Sequence, residues 1–400
     1  MSDLINDEAV HDVSNDDVVS DVSNDDVVSD VSNDGVVSDV SNDESVNDLI
    51  DSDDGAVDDS VLDDGVVDDS VLDDGAVDDS VSDDGVMSDL LNVSNISISF
   101  TQYVKGLNQR ELKVITDLTM DIKEGEIVAV LGSSGSGKSL LAHAILGILP
   151  HNANLSGTMM YKGEVLTDEL KEKLRGDEIS LIPQSVNFLD PLMKVSDQVI
   201  GECEDEADEK EKRAKQRAVF EKYNLSEEVD DMYPFQLSGG MARRVLVSTA
   251  LLSNPKLVIA DEPTPGLDEK SVEETLNHLR QMAADNVGVL LITHDIDAAL
   301  KVANRIAIFY SGYVIEIANA SDFSAEGENL LHPYTKSLFK ALPHNGFELT
   351  KGHQPLHGEI PVGCPYYDRC SHKLEKCDKV RPDLIPVDEK KRVRCFMYEE

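Results

Sequence analysis

The eight residues Gly132-Ser133-Ser134-Gly135-Ser136-Gly137-Lys138-Ser139 limit the possible folds more than any other stretch of this chain. Glycines at 132, 135 and 137 disfavour regular structure there, since each costs ordering entropy and returns no side-chain packing. The flanks have opposite characters. Before the loop, Glu126-Ile127-Val128-Ala129-Val130-Leu131 is mostly apolar and partly β-branched, which suits a strand buried on both faces. After it, Leu140-Leu141-Ala142-His143-Ala144-Ile145-Leu146-Gly147 is built of good helix formers, with no proline until Pro150. Strand, glycine-rich turn and helix form the setting in which G-x-x-x-x-G-K-[ST] cradles phosphate. The curled backbone points N–H groups of the loop, Ser133, Ser134 and Ser136 included, at phosphate oxygens, and the new helix adds its positive end. Lys138 is expected to reach the β- and γ-phosphates and Ser139 to ligate Mg²⁺. A glycine-rich turn without a ligand is the bland alternative.

Two further apolar runs end in chemistry. Lys256-Leu257-Val258-Ile259-Ala260 leads into Asp261-Glu262, and carboxylates at the end of a buried parallel strand sit where such sheets bind ligands. Asp261 is placed to hold Mg²⁺ through water, and Glu262 to polarise an attacking water. Val287-Gly288-Val289-Leu290-Leu291-Ile292-Thr293 ends at His294-Asp295. A lone histidine at a strand end is more often structural; in this company His294 is assigned to the γ-phosphate.

The order of these segments, with Gln184 after Ile179-Ser180-Leu181-Ile182-Pro183, Leu237-Ser238-Gly239-Gly240, and Asp268, resembles the ATP-binding subunits of ABC transporters over about residues 93–325. The resemblance implies an α/β, P-loop NTPase cassette with a parallel-core sheet and a helical subdomain. It implies head-to-tail pairing of two cassettes, in which Ser238, Gly239 and Gly240 of one chain contact the γ-phosphate held by the other. A helix N-terminus in Met241-Ala242-Arg243-Arg244 would then serve the anion. Gln184 would sense Mg²⁺ and the attacking water. For stacking on adenine, Tyr103 is chosen and Phe100 is the runner-up; an ordinary strand-edge or core aromatic is the alternative. Residues 204–223 should form a helix of the subdomain, with the charge run of 204–213 as its solvated face. Phe188-Leu189-Asp190-Pro191-Leu192 is the candidate for contact with a permease, a buried turn being the alternative.

Leu331-His332-Pro333-Tyr334-Thr335-Lys336-Ser337-Leu338 is similar to a stretch of the oligopeptide, dipeptide and nickel branch. Met241-Ala242-Arg243-Arg244 departs from that branch in lacking the common Arg-Gln after Met, and Pro265-Gly266 stands where Thr-Ala is frequent. Cys364, Cys370, Cys377 and Cys395 follow with spacing C-x₅-C-x₆-C-x₁₇-C. Four clustered thiolates can hold zinc or a [4Fe–4S] cluster. The tight pairs usual for zinc are missing, and the spacing resembles the cysteine motif of dipeptide-type ATPases, some of which carry [4Fe–4S]. Iron–sulfur is therefore expected, with zinc or bare thiols as alternatives. Cys203 stands apart and reads as a small buried apolar residue.

The formal charge of −44 divides unevenly. Residues 1–92 hold 31 acids and no lysine or arginine, leaving 48 acids against 35 bases in the rest. Residues 14–43 repeat with period nine and residues 53–91 with period ten. Charge repulsion and few large apolar groups point to disorder in this tail, with a calcium-ordered solenoid as the alternative. The acidic balance argues against nucleic-acid binding. No apolar run approaches the roughly 18 residues that span a bilayer, and no secretion signal opens the chain. Three regions are expected: an acidic tail (1–92), a cassette (93–325) and a C-terminal region (326–400). The resemblance implies ATP hydrolysis that drives import of peptides or nickel from the cytoplasmic face of the membrane. The implied partners are a second cassette, two permease subunits and an extracytoplasmic binding protein. The rival is a soluble ATPase of the same type acting on nucleic acid, the ribosome or another enzyme; one cassette and an acidic balance speak against it.

Overall fold

The computed structural model describes residues 89–105, 108–324, 327–356 and 360–399. The acidic repeats up to residue 88 lie outside the described residues. In chain order the first elements are β1 (Asp89–Lys105), β2 (Asn108–Lys123), β3 (Ile127–Leu131), α1 (Lys138–Leu146), β4 (Ala153–Tyr161), β5 (Glu164–Val165) and α2 (Asp168–Leu174). Then come β6 (Ile179–Ile182), α3 (Val195–Ile200), α4 (Glu206–Lys222), α5 (Gly239–Leu251), β7 (Leu257–Asp261), α6 (Glu269–Ala284) and β8 (Gly288–Thr293). The last are α7 (Ile296–Val302), β9 (Arg305–Tyr310), β10 (Tyr313–Asn319), α8 (Pro333–Lys340), β11 (Ile385–Pro386) and β12 (Arg392–Val393).

Strand β3 shows how the layers arise. Its five residues are all buried. Ile127, Ala129 and Leu131 face one core and Val128 and Val130 the other, as the period of two requires. On the first side α6, α7 and α8 cover the sheet through residues such as Leu276, Leu279 and Phe339. On the second, Leu141, Ala142 and Ile145 of α1 pack between this sheet and Leu118 and Ile122 of β2. A third apolar cluster, around Val195, Phe220, Leu225 and Val245, holds α3, α4 and α5 together as the helical subdomain.

The large sheet runs β11-β12-β10-β9-β3-β8-β7-β6. Strands β9, β3, β8, β7 and β6 are parallel, while β10, β12 and β11 are added antiparallel. A separate antiparallel sheet has the order β2-β1-β4-β5. Because β3, β8 and β7 are parallel neighbours, the loops after them leave from one edge, which brings Gly132–Ser139, His294 and Asp261-Glu262 together.

Two local forecasts meet their physical reasons here. Helix α4 falls inside residues 204–223; Asp205 caps it by accepting from the N–H groups of Ala207 and Asp208. Its charge run is laced by Asp208–Lys212, Glu209–Arg213 and Glu211–Lys215 pairs on a solvated face. Helix α5 begins at Gly239, earlier than Met241, because the Ser238 side chain accepts from the Met241 N–H and caps it there.

The C-terminal region joins the cassette's sheet through β12 on β10, and Tyr334, Phe339, Cys364 and Tyr366 share the core of β3 and β8. Buried Arg394 reinforces the join, donating to the Val314 and Pro382 carbonyls and to Asp117. Buried Glu316 of β10 accepts from the N–H groups of Leu331 and His332, and His332 Nδ1 accepts from the Tyr334 N–H, so His332-Pro333 starts α8 from a fixed point. Among the described residues no helix is long and apolar enough to cross a membrane.

Candidate functional site

At the end of β3 the chain turns through Gly135 (φ 74°) and Gly137 (φ 96°), both left-handed, before Lys138 opens α1. Gly137 is further constrained, since a Cβ there would lie 2.5 Å from Val114 Cγ1. The loop forms one wall of a cleft of about 490 Å³ that is also lined by Phe100, Asn152, Gln184 and Glu262. Phe100, the runner-up for adenine stacking, lies on this wall. Tyr103 does not line the cleft; it is 67% exposed and accepts from Gln109 Nε2 near the β1–β2 turn.

Lys138 is buried, and its ammonium donates to the Gly132 and Ser133 carbonyls at 2.9 and 3.0 Å. It lies 3.9 Å from Glu262 Oε1. Burial lowers its pKa, opposed by the nearby Glu262 and Asp261 charges. A cation stripped of water inside a ring of loop amides favours an anionic ligand. Ser133, on the outer rim, donates to Gln354 Oε1 at 3.1 Å, which brings the C-terminal region against the loop.

Asp261 ends β7, buried, with its pKa raised chiefly by desolvation and eased by a hydrogen bond from Ser139. Its Oδ1 is buried without a hydrogen-bond partner among the described residues. A hydroxyl, an orphaned carboxylate oxygen and the nearby Gln184 amide make an all-oxygen donor set of the kind Mg²⁺ takes, so the residues fit that ion. Ser136 Oγ is likewise buried and unpartnered in the loop.

Glu262 takes φ 47°, a left-handed backbone that costs a non-glycine residue about 1–3 kcal/mol and tends to persist at functional sites. Its N–H donates to the Ile292 carbonyl on β8 at 2.8 Å. Its carboxylate lies 2.5 Å from His294 Nδ1, and the histidine side chain is half exposed. A carboxylate held between an imidazole and an ammonium can orient and polarise a water.

Ser238, Gly239 and Asp268 are exposed and lie outside this cleft. They lie near one another instead: Asp268 caps α6 by accepting from Ser271, and a Cβ on Gly240 would stand 3.5 Å from Ser271 Oγ. One residue escaped the sequence reading. Arg243 of α5 is 3% exposed and reaches the backbone carbonyls of Pro183, Gln184 and Glu262. An arginine in α5 carries no local mark of a reach across 60 residues.

Away from the cleft, Cys364, Cys370, Cys377 and Cys395 line one small cavity with His332 and Tyr366. All four are free thiols. Burial pushes Cys364 up to about 12 and raises Cys370 and Cys395. Gly363 allows the close chain crossing there, since a Cβ would lie 2.2 Å from the Cys377 carbonyl. Among the described residues no group of three or more His, Cys, Asp or Glu side chains is arranged to hold a metal ion. Cys203, expected to be buried, is only half-buried and donates weakly to the Gly201 carbonyl.

A phosphate-cradling loop after β3, beside a buried Asp-Glu pair at the end of β7 two strands away in the same parallel sheet, makes this a P-loop ATPase. Residues 115–265 match the ABC transporter family, and residues 315–377 the oligopeptide/dipeptide transporter C-terminal region. The oligopeptide transport ATP-binding protein AppD of Bacillus subtilis (strain 168) is 33% identical over 78% of this chain and 97% of its own length. The oligopeptide transport ATP-binding protein OppD of Escherichia coli (strain K12) is 31% identical over 73% and 89%. Among solved structures, cbiO1 from Clostridium perfringens, described as part of the ABC transporter complex cbiONQ, superposes with a TM-score of 0.50. It is 27% identical over 63% of this chain and 99% of its own. The chain belongs to the ATP-binding subunits of ABC transporters, and it is an ATPase.

Proposed function

We propose that this chain hydrolyses ATP to drive uptake of peptides, or of nickel, through membrane permease partners. The observation that carries the reading is an intact Lys138–Glu262–His294 set in one folded unit with a C-terminal region of the oligopeptide/dipeptide transporter type. The peptide-transport names of AppD and OppD support the substrate class.

In this reading Gly132–Ser139 and Lys138 hold the phosphates, while Ser139, Asp261 and Gln184 hold Mg²⁺. The metal supplies charge neutralisation on the phosphates. Glu262 polarises the water, and His294 fixes that carboxylate and contacts the γ-phosphate. Phe100 takes the adenine in place of Tyr103. Ser238, Gly239, Gly240 and Asp268 face outward and complete the site of a second cassette, copy or relative. The permease contact is assigned to Phe188, Leu192 and Phe235, which are 67%, 87% and 74% exposed beside one shallow apolar cleft. The cassette then works from the cytoplasmic face, with an extracytoplasmic binding protein delivering cargo. Residues 93–325 are read as the cassette and residues 326–400 as the C-terminal region, with the acidic tail in 1–92.

Purification of the full-length chain from membranes is expected to bring two multi-span subunits, with ATP-dependent uptake of labelled peptide in the reconstituted complex. Recovery free of any multi-span partner would sink the transport reading.

The cofactor reading extends to Cys364, Cys370, Cys377 and Cys395 as ligands of a [4Fe–4S] cluster, with zinc as the alternative. Four free thiols on one cavity wall support it. Ligation would brace the last turns of the chain against α8. Anaerobically purified protein is expected to be brown and to contain about four irons per chain. Colourless protein with stoichiometric zinc decides for the alternative.

A further inference from the structure

Arg243 is a buried cation with an unusual set of partners. Its Nη1 donates to the Pro183 carbonyl at 2.5 Å, and its Nη2 to the Gln184 and Glu262 carbonyls at 2.9 and 3.1 Å. Desolvation lowers its pKa with no carboxylate among the causes. A buried guanidinium satisfied by backbone carbonyls alone is a costly arrangement for stability, and a hydrophobic residue would fill the space more cheaply. What it does provide is geometry. The planar fork holds several N–H groups in fixed directions, so three carbonyls from two distant segments are set relative to one another.

Those segments are the two that meet the reacting end of the nucleotide. Gln184 lines the cleft. Glu262 sits in a left-handed backbone that its surroundings must hold, through Ile292 on one side and Arg243 on the other. Arg243 also stands one turn beyond Gly240 on the helix whose capped, exposed N-terminus is Ser238-Gly239-Gly240. A single rigid helix therefore carries the segment that faces a second subunit at one end and the clamp on this chain's own carboxylate a turn later.

We propose that Arg243 is a positioning residue, which ties α5 to the Gln184 and Glu262 backbones of its own chain. Engagement of Ser238–Gly240 by a neighbouring subunit's nucleotide thereby sets the water-polarising carboxylate here. The inference rests on the roles proposed above for Gln184 and Glu262.

The test uses the full-length chain and compares Arg243→Met, Arg243→Lys and Arg243→Gln for kcat and KM with Mg·ATP. Arg243→Met is expected to lower kcat about tenfold or more with KM held within about twofold, because ground-state nucleotide contacts are untouched. Arg243→Lys, which keeps one cationic donor, is expected to recover part of the loss. Where Arg243→Met fails to fold, the same split is expected, smaller, in the lysine and glutamine variants. Parental kcat in the folded variants overturns the proposal. So does a rise in KM matching the fall in kcat with no rescue by lysine, which marks a merely structural role. Glu262→Gln runs in parallel: if it is inactive while the Arg243 variants turn over normally, only the Arg243 inference fails; if it turns over normally, the reading of the site fails with it.

Discussion

Replacing Glu262 with glutamine is expected to remove ATP turnover while leaving ATP-dependent pairing of cassettes intact. The amide keeps the size of the carboxylate and the site beside His294 and Lys138, which lie at 2.5 and 3.9 Å in the parent. It removes the charge proposed to polarise water, and a positioned acid–base group contributes about 10²–10⁴-fold. A fall of at least about 100-fold in kcat is expected, or about 2.7 kcal/mol on the barrier. The loop, Ser139 and Asp261 are unchanged, so nucleotide affinity should hold. Steady-state hydrolysis and size-exclusion chromatography with ATP read the two halves separately. Turnover within about threefold of the parent would remove Glu262 from the mechanism.

Gly137→Ala is expected to be the second most damaging change, for two independent reasons. The position sits at φ 96°, where an L-residue is strained by about 1–3 kcal/mol. The new methyl would also stand 2.5 Å from Val114 Cγ1 on β2. Relief requires the turn to move, and Lys138 and the loop amides move with it. Affinity for Mg·ATP should fall at least about tenfold, or about 1.4 kcal/mol, with a drop of a few degrees in Tm. Titration with a fluorescent nucleotide gives the first and calorimetry the second. Parental affinity at any Tm would show that this glycine is not needed for phosphate binding.

The two changes differ in how far their sites could be read from the chain alone. The phosphate loop is local: a buried strand, glycines and a helix start within about 20 consecutive residues, and backbone geometry over that span depends mainly on its own side chains. Asp261-Glu262 and His294 were legible for a related reason. Continuous apolar runs before them mark buried parallel strands, and carboxyl ends of such strands are where ligands bind. The helix of residues 206–222 was legible as a run rich in Glu, Lys, Arg and Ala without Pro or Gly; its cap and i,i+4 charge pairs emerged only in the structure.

Other features had no local signature. That Phe100 lines the cleft and Tyr103 does not depends on where a long hairpin leaves it, which the sequence of β1 does not mark. The return of β12 to pair with β10 from more than 70 residues away is not written in either segment. Gln354 beside Ser133, and Arg243 beside Gln184 and Glu262, are contacts between segments that sequence order keeps apart.

From sequence alone came the chemistry: which residues can hold phosphate, ligate a hard metal ion and polarise water, since residue type and local backbone set those abilities. Tertiary structure decided which of them meet. The sheet order places β7, β8 and β3 side by side and so brings Asp261, Glu262 and His294 to one loop. The same packing turns Ser238, Gly239 and Asp268 outward and gathers four cysteines around one cavity. Reach between side chains is fixed by packing in space, and distance along the chain does not encode it.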